Sequence, residues 1–203
     1  MNERWVPFDV ADADANPFGQ WRRWYEEGSR EVREPEAISV STANRAGRIS
    51  SRMVLLRTAD EQGFVWFTNY NSHKGNDLDE IPRAAILWYC EPLGRQVRIE
   101  GPVVRVSPEE SDEYFNSRPR GHQVGAHASN QSEPIASRAT LEERVAELEL
   151  QFEGHLVPRP DHWGGFRLIP EHFEFWQHRK DRLHDRVLYD LANGAWSHAR
   201  YAP

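Results

Sequence analysis

The feature that most limits how this chain can fold is a change of period at Ala37. Upstream, Phe18, Trp21 and Trp24-Tyr25 recur at helical spacing behind Asn16-Pro17. Asn is a good N-cap and proline suits the first helical turn, so one helix with an apolar face is predicted, ending at Glu34-Pro35. Downstream the chain is cut into β-rich runs at 37–43, 48–58 and 63–69, punctuated by Asn44-Arg-Ala-Gly47 and Asp60-Glu-Gln-Gly63. Turn residues between such runs predict a three-stranded antiparallel meander. Further strands are expected at 83–91 and 95–106, across Pro92-Leu-Gly94, and at 163–169, 173–177, 187–191 and 195–201.

Helical signals interrupt the strands in three places. The polar stretch Asn71-Ser-His-Lys-Gly75 leads into a short helix ending near Pro82. Ser107-Pro-Glu-Glu110 and Thr140-Leu-Glu-Glu143 read as capping boxes, opening helices to about Ser117 and Phe152. The interval 118–138 is too long for a bare linker and too polar for core, so it is read as a functional loop. These elements specify an α+β fold: an antiparallel β-barrel of six to eight strands with peripheral helices. At 203 residues, one domain over 16–203 suffices, preceded by a polar, Ala/Asp-rich flexible leader at 1–15.

Charge narrows the function. Lys and Arg number 25 against 32 Asp and Glu, a net −7. That balance argues against nucleic acid as a partner, because nucleic-acid binding needs a basic field to displace phosphate counterions. Against an acidic background, clustered cations carry more information. No run approaches the ~20 apolar residues of a spanning helix and no signal core precedes residue 20, so no membrane partner is expected and the cytoplasm is the default location. Cys90 is the single cysteine, so no internal disulfide is possible, and its apolar setting reads as a buried inert thiol. Eight tryptophans are many for this length and favour self-association.

Four polar clusters could carry chemistry. Arg52 and Arg57 bracket a strand; Thr68-Asn-Tyr-Asn-Ser-His-Lys74 runs from a strand end into a helix start, a reasonable phosphate seat. Tyr114-Phe-Asn-Ser-Arg-Pro-Arg120 offers Arg118 and Arg120 as an anion clamp at a helix end, with Gln131-Ser132 beyond it. Phe175-Trp-Gln-His-Arg-Lys-Asp-Arg-Leu-His-Asp-Arg186 places cations after an aromatic pair. Each has a bland reading as solvated arginines, helix-end cations or a hairpin tip. Other chemistries fail on residues. There is no His-Glu-x-x-His or Cys/His pair at ligand spacing, so no metal is expected; nor is there a Gly-x-Ser-x-Gly elbow, a Gly-x-x-x-x-Gly-Lys loop or a Gly-x-Gly-x-x-Gly fingerprint.

Taken in order, the clusters resemble the pyridoxamine 5′-phosphate oxidase family over residues 16–203. The motifs that carry the likeness are Arg52-Met-Val-Leu-Leu-Arg57, Phe67-Thr68 with Ser72-His-Lys74, Gly94-Arg-Gln-Val97, Tyr114 to Arg120, Ser129-Asn-Gln-Ser132, Trp163-Gly-Gly-Phe166, and Phe175-Trp176 followed by Arg182-Leu-His-Asp-Arg186. The resemblance implies an FMN-binding Greek-key split barrel, a homodimer with FMN at its interface, and a small anionic aromatic substrate oxidised with O2 as acceptor. By position it implies that Arg52, Ser72, His73, Lys74, Gln131 and Ser132 serve the FMN phosphate. Met53, Val54, Leu55, Leu56, Arg57, Phe67, Thr68 and Gln96 would line the flavin, with Trp176 and Arg186 reaching across from the second subunit. Arg57, Tyr114, Arg118 and His122 would hold the substrate anion, and Arg182 and His184 would be the catalytic residues over its ring.

The implied reaction is oxidation of pyridoxamine or pyridoxine 5′-phosphate to pyridoxal 5′-phosphate, releasing H2O2. Departures from the family pattern leave two alternatives open. Arg57 stands where lysine is usual, His122 where serine is usual, His73 where arginine is usual and His127 where tryptophan is usual; Trp88-Tyr-Cys90 replaces Phe-Pro-Trp, and the Arg/Tyr lid has no counterpart in 1–15. An FMN oxidase of another aromatic acid, such as a phenazine precursor, fits these changes. A flavin carrier without catalysis is the third reading.

Overall fold

In the computed structural model, which describes residues 6–203, nine strands form one sheet in the order β4-β1-β2-β3-β6-β5-β7-β8-β9, and β4 pairs with β5 as well. That extra pairing closes β4-β1-β2-β3-β6-β5 into a six-stranded antiparallel barrel. The strands are β1 (Ala37–Ala43), β2 (Ile49–Asp60), β3 (Gly63–Asn69), β4 (Arg83–Cys90), β5 (Arg95–Arg105), β6 (Trp163–Leu168), β7 (His172–Gln177), β8 (Asp185–Ala192) and β9 (Ala195–Tyr201). The predicted β1–β2–β3 meander is present. The barrel splits at β5: its first half pairs with both β4 and β7, while 103–105 turn to β6. β7, β8 and β9 then run on as an antiparallel wing.

Five helices lie around the barrel: α1 (Pro17–Gly28), α2 (His73–Glu80), α3 (Pro108–Ser117), α4 (Arg120–Ala128) and α5 (Arg138–Gln151). The Asn16 side chain caps α1 by accepting from the Phe18 N–H at 2.9 Å. Phe18, Trp21 and Trp24 sit on its buried face and meet Phe64, Trp88, Phe173 and Phe175 in edge-on ring contacts. Four tryptophans, at 21, 24, 66 and 88, are core filler. Such rings bury large apolar areas and supply much of the core's stability. Cys90 is fully buried beside them, and burial pushes its thiol up.

Several boundaries differ from expectation for local reasons. α1 ends at Gly28 rather than at Pro35: the Ser29 N–H makes the last i→i−4 bond, to the Tyr25 carbonyl, and the Arg30 and Glu31 N–H groups then close i→i−3 turns on Glu27 and Gly28. α5 starts at Arg138, capped by the Ser137 hydroxyl, which accepts from the Thr140 N–H at 3.1 Å; Thr140 is thus inside the helix. The interval 118–138 is not a loop throughout, since α4 occupies nine residues of it. Glycines 121 and 125 weaken the helical pattern there, while Val124 and Ala128, one turn apart, are the buried anchors.

The leader also departs from expectation. Residues 1–5 lie outside the described part, but from Phe8 onward the chain is packed rather than loose. Phe8 is 5% exposed and its ring lies 4.9 Å from that of Trp24. Asp9 and Asp12 cap a short 3-10 turn reciprocally, and the buried Tyr189 hydroxyl donates to the Asp14 carbonyl at 2.8 Å. Burial raises the Tyr189 phenol well above its ordinary value.

Candidate functional site

A cavity of about 950 Å³ opens between β2, β3 and the helices α2, α3 and α4. That is at the upper end of the ~300–1,000 Å³ usual for ligand pockets. Its polar floor is built where β3 runs out into α2. Ser72 ends the extended segment and caps α2, its hydroxyl accepting from the Gly75 N–H. Close packing demands glycine at 75: a Cβ there would lie 1.8 Å from the Tyr70 carbonyl oxygen. The cap turns the chain so that Lys74 points inward, only 6% exposed. Its ammonium donates to Thr68 Oγ1 (2.9 Å), Ser72 Oγ (3.1 Å) and Gln131 Oε1 (2.9 Å).

Arg52 stands beside Lys74. Its guanidinium donates to the Val40 carbonyl (3.0 Å), to Thr42 Oγ1 (2.9 Å) and to Ser50 Oγ. Behind it the buried Asp77 carboxylate accepts from Thr42 (2.6 Å) and Ser50 (3.2 Å). Desolvation, then the Arg52 charge, lower the Lys74 ammonium to about 8, and burial lowers Arg52 as well. His73 lies 3.7 Å from Asp77, and its backbone N–H donates to Ser132 Oγ. Ser132 holds a left-handed φ of 77°, at the end of the segment that brings Gln131 over Lys74.

The second cationic group is set on aromatic rings. Phe67, Tyr114 and Trp163 are near-parallel, with centroids 4.1, 5.6 and 6.2 Å apart. Arg118, at the C-terminal end of α3, lies 4.6 Å over the Trp163 ring, and Arg57 lies 5.6 Å over Tyr114. One buried nitrogen of Arg118, Nη1, has no hydrogen-bond partner among the described residues. Burial, with Arg57 adding to it, holds the Arg118 guanidinium below its ordinary value. A buried donor without an acceptor costs free energy, so a site of this kind awaits an anion.

The cavity therefore brings together Arg52, Met53, Val54, Leu55, Arg57, Phe67, Thr68, His73, Lys74, Tyr114, Arg118, His122, Gln131 and Ser132. Leu56 is not among them: alternation along β2 turns it into the core, 6% exposed. Ser72 is fully buried behind Lys74 and acts through it. Arg120 is no anion clamp, because it braces α4 to the end of α5 through Glu149 and the Phe152 and His155 carbonyls. His127 likewise bonds the Pro158 carbonyl. Sequence reading quoted Asn69, Ser129 and Trp163 in its motifs without giving them a role, and missed Ser50, Ser51, Gly121, Gly125 and Ala126, all of which line the cavity. The glycines four apart on α4 were the available clue, since neither would bring a Cβ within 4 Å of anything.

Gln96, Trp176, Arg182, His184 and Arg186 do not line this chain's cavity. Trp176, Arg182, His184 and Arg186 belong to β7, β8 and the connection between them, and Gln96 lies on the adjoining barrel strand β5; Gln96 pairs with Trp176 and Trp176 with Arg186. The His184 ring lies 4.5 Å from that of Trp176. Arg186 donates twice to the buried Glu174, at 3.1 and 3.0 Å, and once to the Ala202 carbonyl; the Glu174 hydrogen bonds raise its guanidinium further.

A family model described as pyridoxamine 5′-phosphate oxidase matches residues 26–152, and one described as the pyridoxine 5′-phosphate oxidase C-terminal dimerisation region matches 163–203. The chain belongs to the pyridoxamine 5′-phosphate oxidase family. It is 52% identical over 197 residues to a pyridoxine/pyridoxamine 5′-phosphate oxidase of Paraburkholderia phymatum, covering 96% of this chain and 92% of that one. A plant member, the chloroplastic pyridoxine/pyridoxamine 5′-phosphate oxidase 1 of Arabidopsis thaliana, is 51% identical over 94% of this chain and 37% of its own length. Among solved structures, PhzG from Burkholderia lata 383, in complex with tetrahydrophenazine-1-carboxylic acid, superposes with a TM-score of 0.91 at 33% identity, covering 98% of both chains. The family's dimerisation region coincides with β6 to β9, the part of the chain that holds Trp176, Arg182, His184 and Arg186. Among the described residues, no helix is long and apolar enough to cross a membrane.

Proposed function

We propose that this chain oxidises pyridoxine and pyridoxamine 5′-phosphate to pyridoxal 5′-phosphate, with FMN as cofactor and O2 reduced to H2O2, as a cytoplasmic homodimer. The observation that carries this reading is that one cavity holds two pairs of mutually repelling cations. Burial and then the Arg52 charge lower Lys74, and burial with a further push from Arg57 lowers Arg118. Like charges held together in a partly desolvated site are relieved by anions, so the cavity has two anion seats. A flavin phosphate and a substrate phosphate supply one each.

The donor set fits FMN. Lys74, Arg52, His73, Gln131 and Ser132 hold its phosphate, while Met53, Val54, Leu55, Phe67 and Thr68 border its ring system. Bound there, FMN would supply the two-electron redox chemistry between the substrate and dioxygen. Arg57, Tyr114, Arg118 and His122 bind the substrate's anionic group and fix its ring against the cofactor. From the second subunit come Trp176 and Arg186 at the flavin, with Arg182 and His184 over the substrate; Gln96, outside this chain's cavity and paired with Trp176, goes with them rather than with Phe67 and Thr68. His184 Nδ1 accepts the Arg179 N–H at 3.1 Å, so in the neutral ring Nε2 carries the proton and can donate it to the substrate's polar edge.

The test is turnover. Purified protein with FMN, O2 and pyridoxine 5′-phosphate is expected to yield an aldehyde absorbing in the visible and an equivalent of peroxide. Arg118→Met is expected to raise KM by about 10–100-fold, the worth of a lost charge-assisted hydrogen bond. Bound flavin with no turnover of either phosphate ester would refute the reading; turnover of an aromatic carboxylic acid instead would assign the Arg57–Arg118 seat to a carboxylate.

A further inference from the structure

Asp185 opens β8 directly after His184, and the residue is 7% exposed. Its carboxylate gathers donors from three other stretches of chain. Oδ2 accepts from the Phe8 backbone N–H at 3.1 Å and from Arg179 at 3.3 Å; Oδ1 accepts from Arg200 on β9 at 3.1 Å. Arg200 also bonds the Phe8 carbonyl and Asp9 Oδ2, at 3.3 and 3.1 Å. Phe8 is fixed in turn by its ring, packed against Trp24 and Phe175. This carboxylate therefore joins the packed N-terminal segment, the last strand and the base of the β7–β8 connection.

That connection is strained. Asp181 and Arg182, neither of them glycine, hold φ of 57° and 62° in succession. L side chains rarely adopt this region, and two in a row persist only where their surroundings over-determine them. The two ends of the connection are tied together: Gln177 pairs with Asp185 in the ladder, the Arg179 N–H donates to His184 Nδ1, and the Arg179 guanidinium reaches Asp185. Arg182 stands exposed between these ties, and His184 packs on Trp176 and His178.

We propose that Asp185 is a positioning residue for the reaction. Its buried carboxylate clamps the base of the 178–184 turn to the N-terminal segment and β9, and so presents Arg182 and His184 in one geometry. The inference rests on the roles given to Arg182 and His184 above. A carboxylate is required because two of the three donors are guanidinium groups, one at each oxygen. An amide of the same shape would set an NH2 against one of them and leave it facing a donor.

The experiment compares wild type, Asp185→Asn, Arg182→Ala and the double variant as full-length holoenzymes, reading kcat, KM for pyridoxine 5′-phosphate and the FMN dissociation constant. Asp185→Asn is expected to lower kcat/KM by about 10–100-fold, the scale of a misplaced catalytic group. FMN affinity should stay within about twofold, and in the Arg182→Ala background the further loss should be clearly smaller than in wild type, because one of the two groups being positioned is gone. Multiplying losses, or FMN affinity falling in step with activity, would overturn the proposal. A normal rate for Arg182→Ala alone would remove the role of Arg182, and this inference with it. If Asp185→Asn does not fold, Arg200→Met removes one donor from a half-exposed strand residue. It should lower kcat/KM a few-fold, and by less when Arg182 is absent; undiminished activity would count against the clamp.

Discussion

Lys74 shows how much one side chain's surroundings decide. An ordinary lysine stays charged far above neutrality, but desolvation and Arg52 bring this one to about 8. A bound phosphate dianion favours the ammonium and raises that value again, so between the free and bound values FMN binding takes up a proton. The sign follows from linkage: affinity is full below about pH 8 and falls as pH rises, by up to about tenfold per unit. Titrating flavin fluorescence against protein from pH 7 to pH 9.5 is expected to show this slope in wild type. Lys74→Met should bind FMN weakly with the slope absent; an unchanged slope would place the titrating group elsewhere. Lys74 was legible in the sequence as part of a strand-to-helix phosphate seat. Its depressed ammonium was not, because burial depends on Thr68 and Gln131, six and 57 residues away.

At the level of elements, the α2 start is the part with least room to vary. Gly75 touches no ligand-facing surface, yet its Cα hydrogen points at the Tyr70 carbonyl with no space for a methyl group. Gly75→Ala is expected to push α2 away from β3, costing about 1–3 kcal/mol as overpacking does. The displacement carries Lys74 and His73 with it. FMN affinity should therefore drop tenfold or more, with a lowered Tm by calorimetry; a stable variant with wild-type affinity would show that the turn can relax. Elements were read well where punctuation was strong, as at Asn16-Pro17, the β1–β3 turns and Ser107-Pro108. They were misread where two local signals competed. Ser137 and Thr140 are residues of equal capping ability three positions apart; the structure uses Ser137, and α5 so begun packs against α4. α4 itself was hidden by its glycines, which lower helix propensity but leave space in the cavity wall.

For the whole molecule, the decisive fact is that the two halves of the candidate site lie apart within one chain. The cavity sits on the barrel, and the Trp176–Arg186 group sits on the wing that matches the family's dimerisation region. In the proposed homodimer, a closed two-fold arrangement would let each wing serve the other subunit's cavity. Mixing makes this testable. Lys74→Met and Arg182→Ala homodimers should each be nearly inactive, since every site in them lacks one half. Random hybrids should regain about a quarter of wild-type activity, because half the dimers are mixed and each carries one intact site. No recovery on co-refolding, with hybrids demonstrated by mass, would mean that each chain completes its own site.

What the sequence determined by itself is the set of local commitments: strand runs with their turns, the helix caps, the acidic balance, and an ordered series of cation motifs. Each depends on neighbours a few residues away, which is the range over which propensity and hydrogen-bonding rules act. The family resemblance groups the cations by position, but only the tertiary structure brings them together in space. It placed Arg52 with Lys74 and Arg57 with Arg118, turned Leu56 inward, spent Arg120 on bracing α4, and folded the supposed leader onto Asp185. Those outcomes depend on strand register and on burial, and both are properties of the closed barrel rather than of any segment of it.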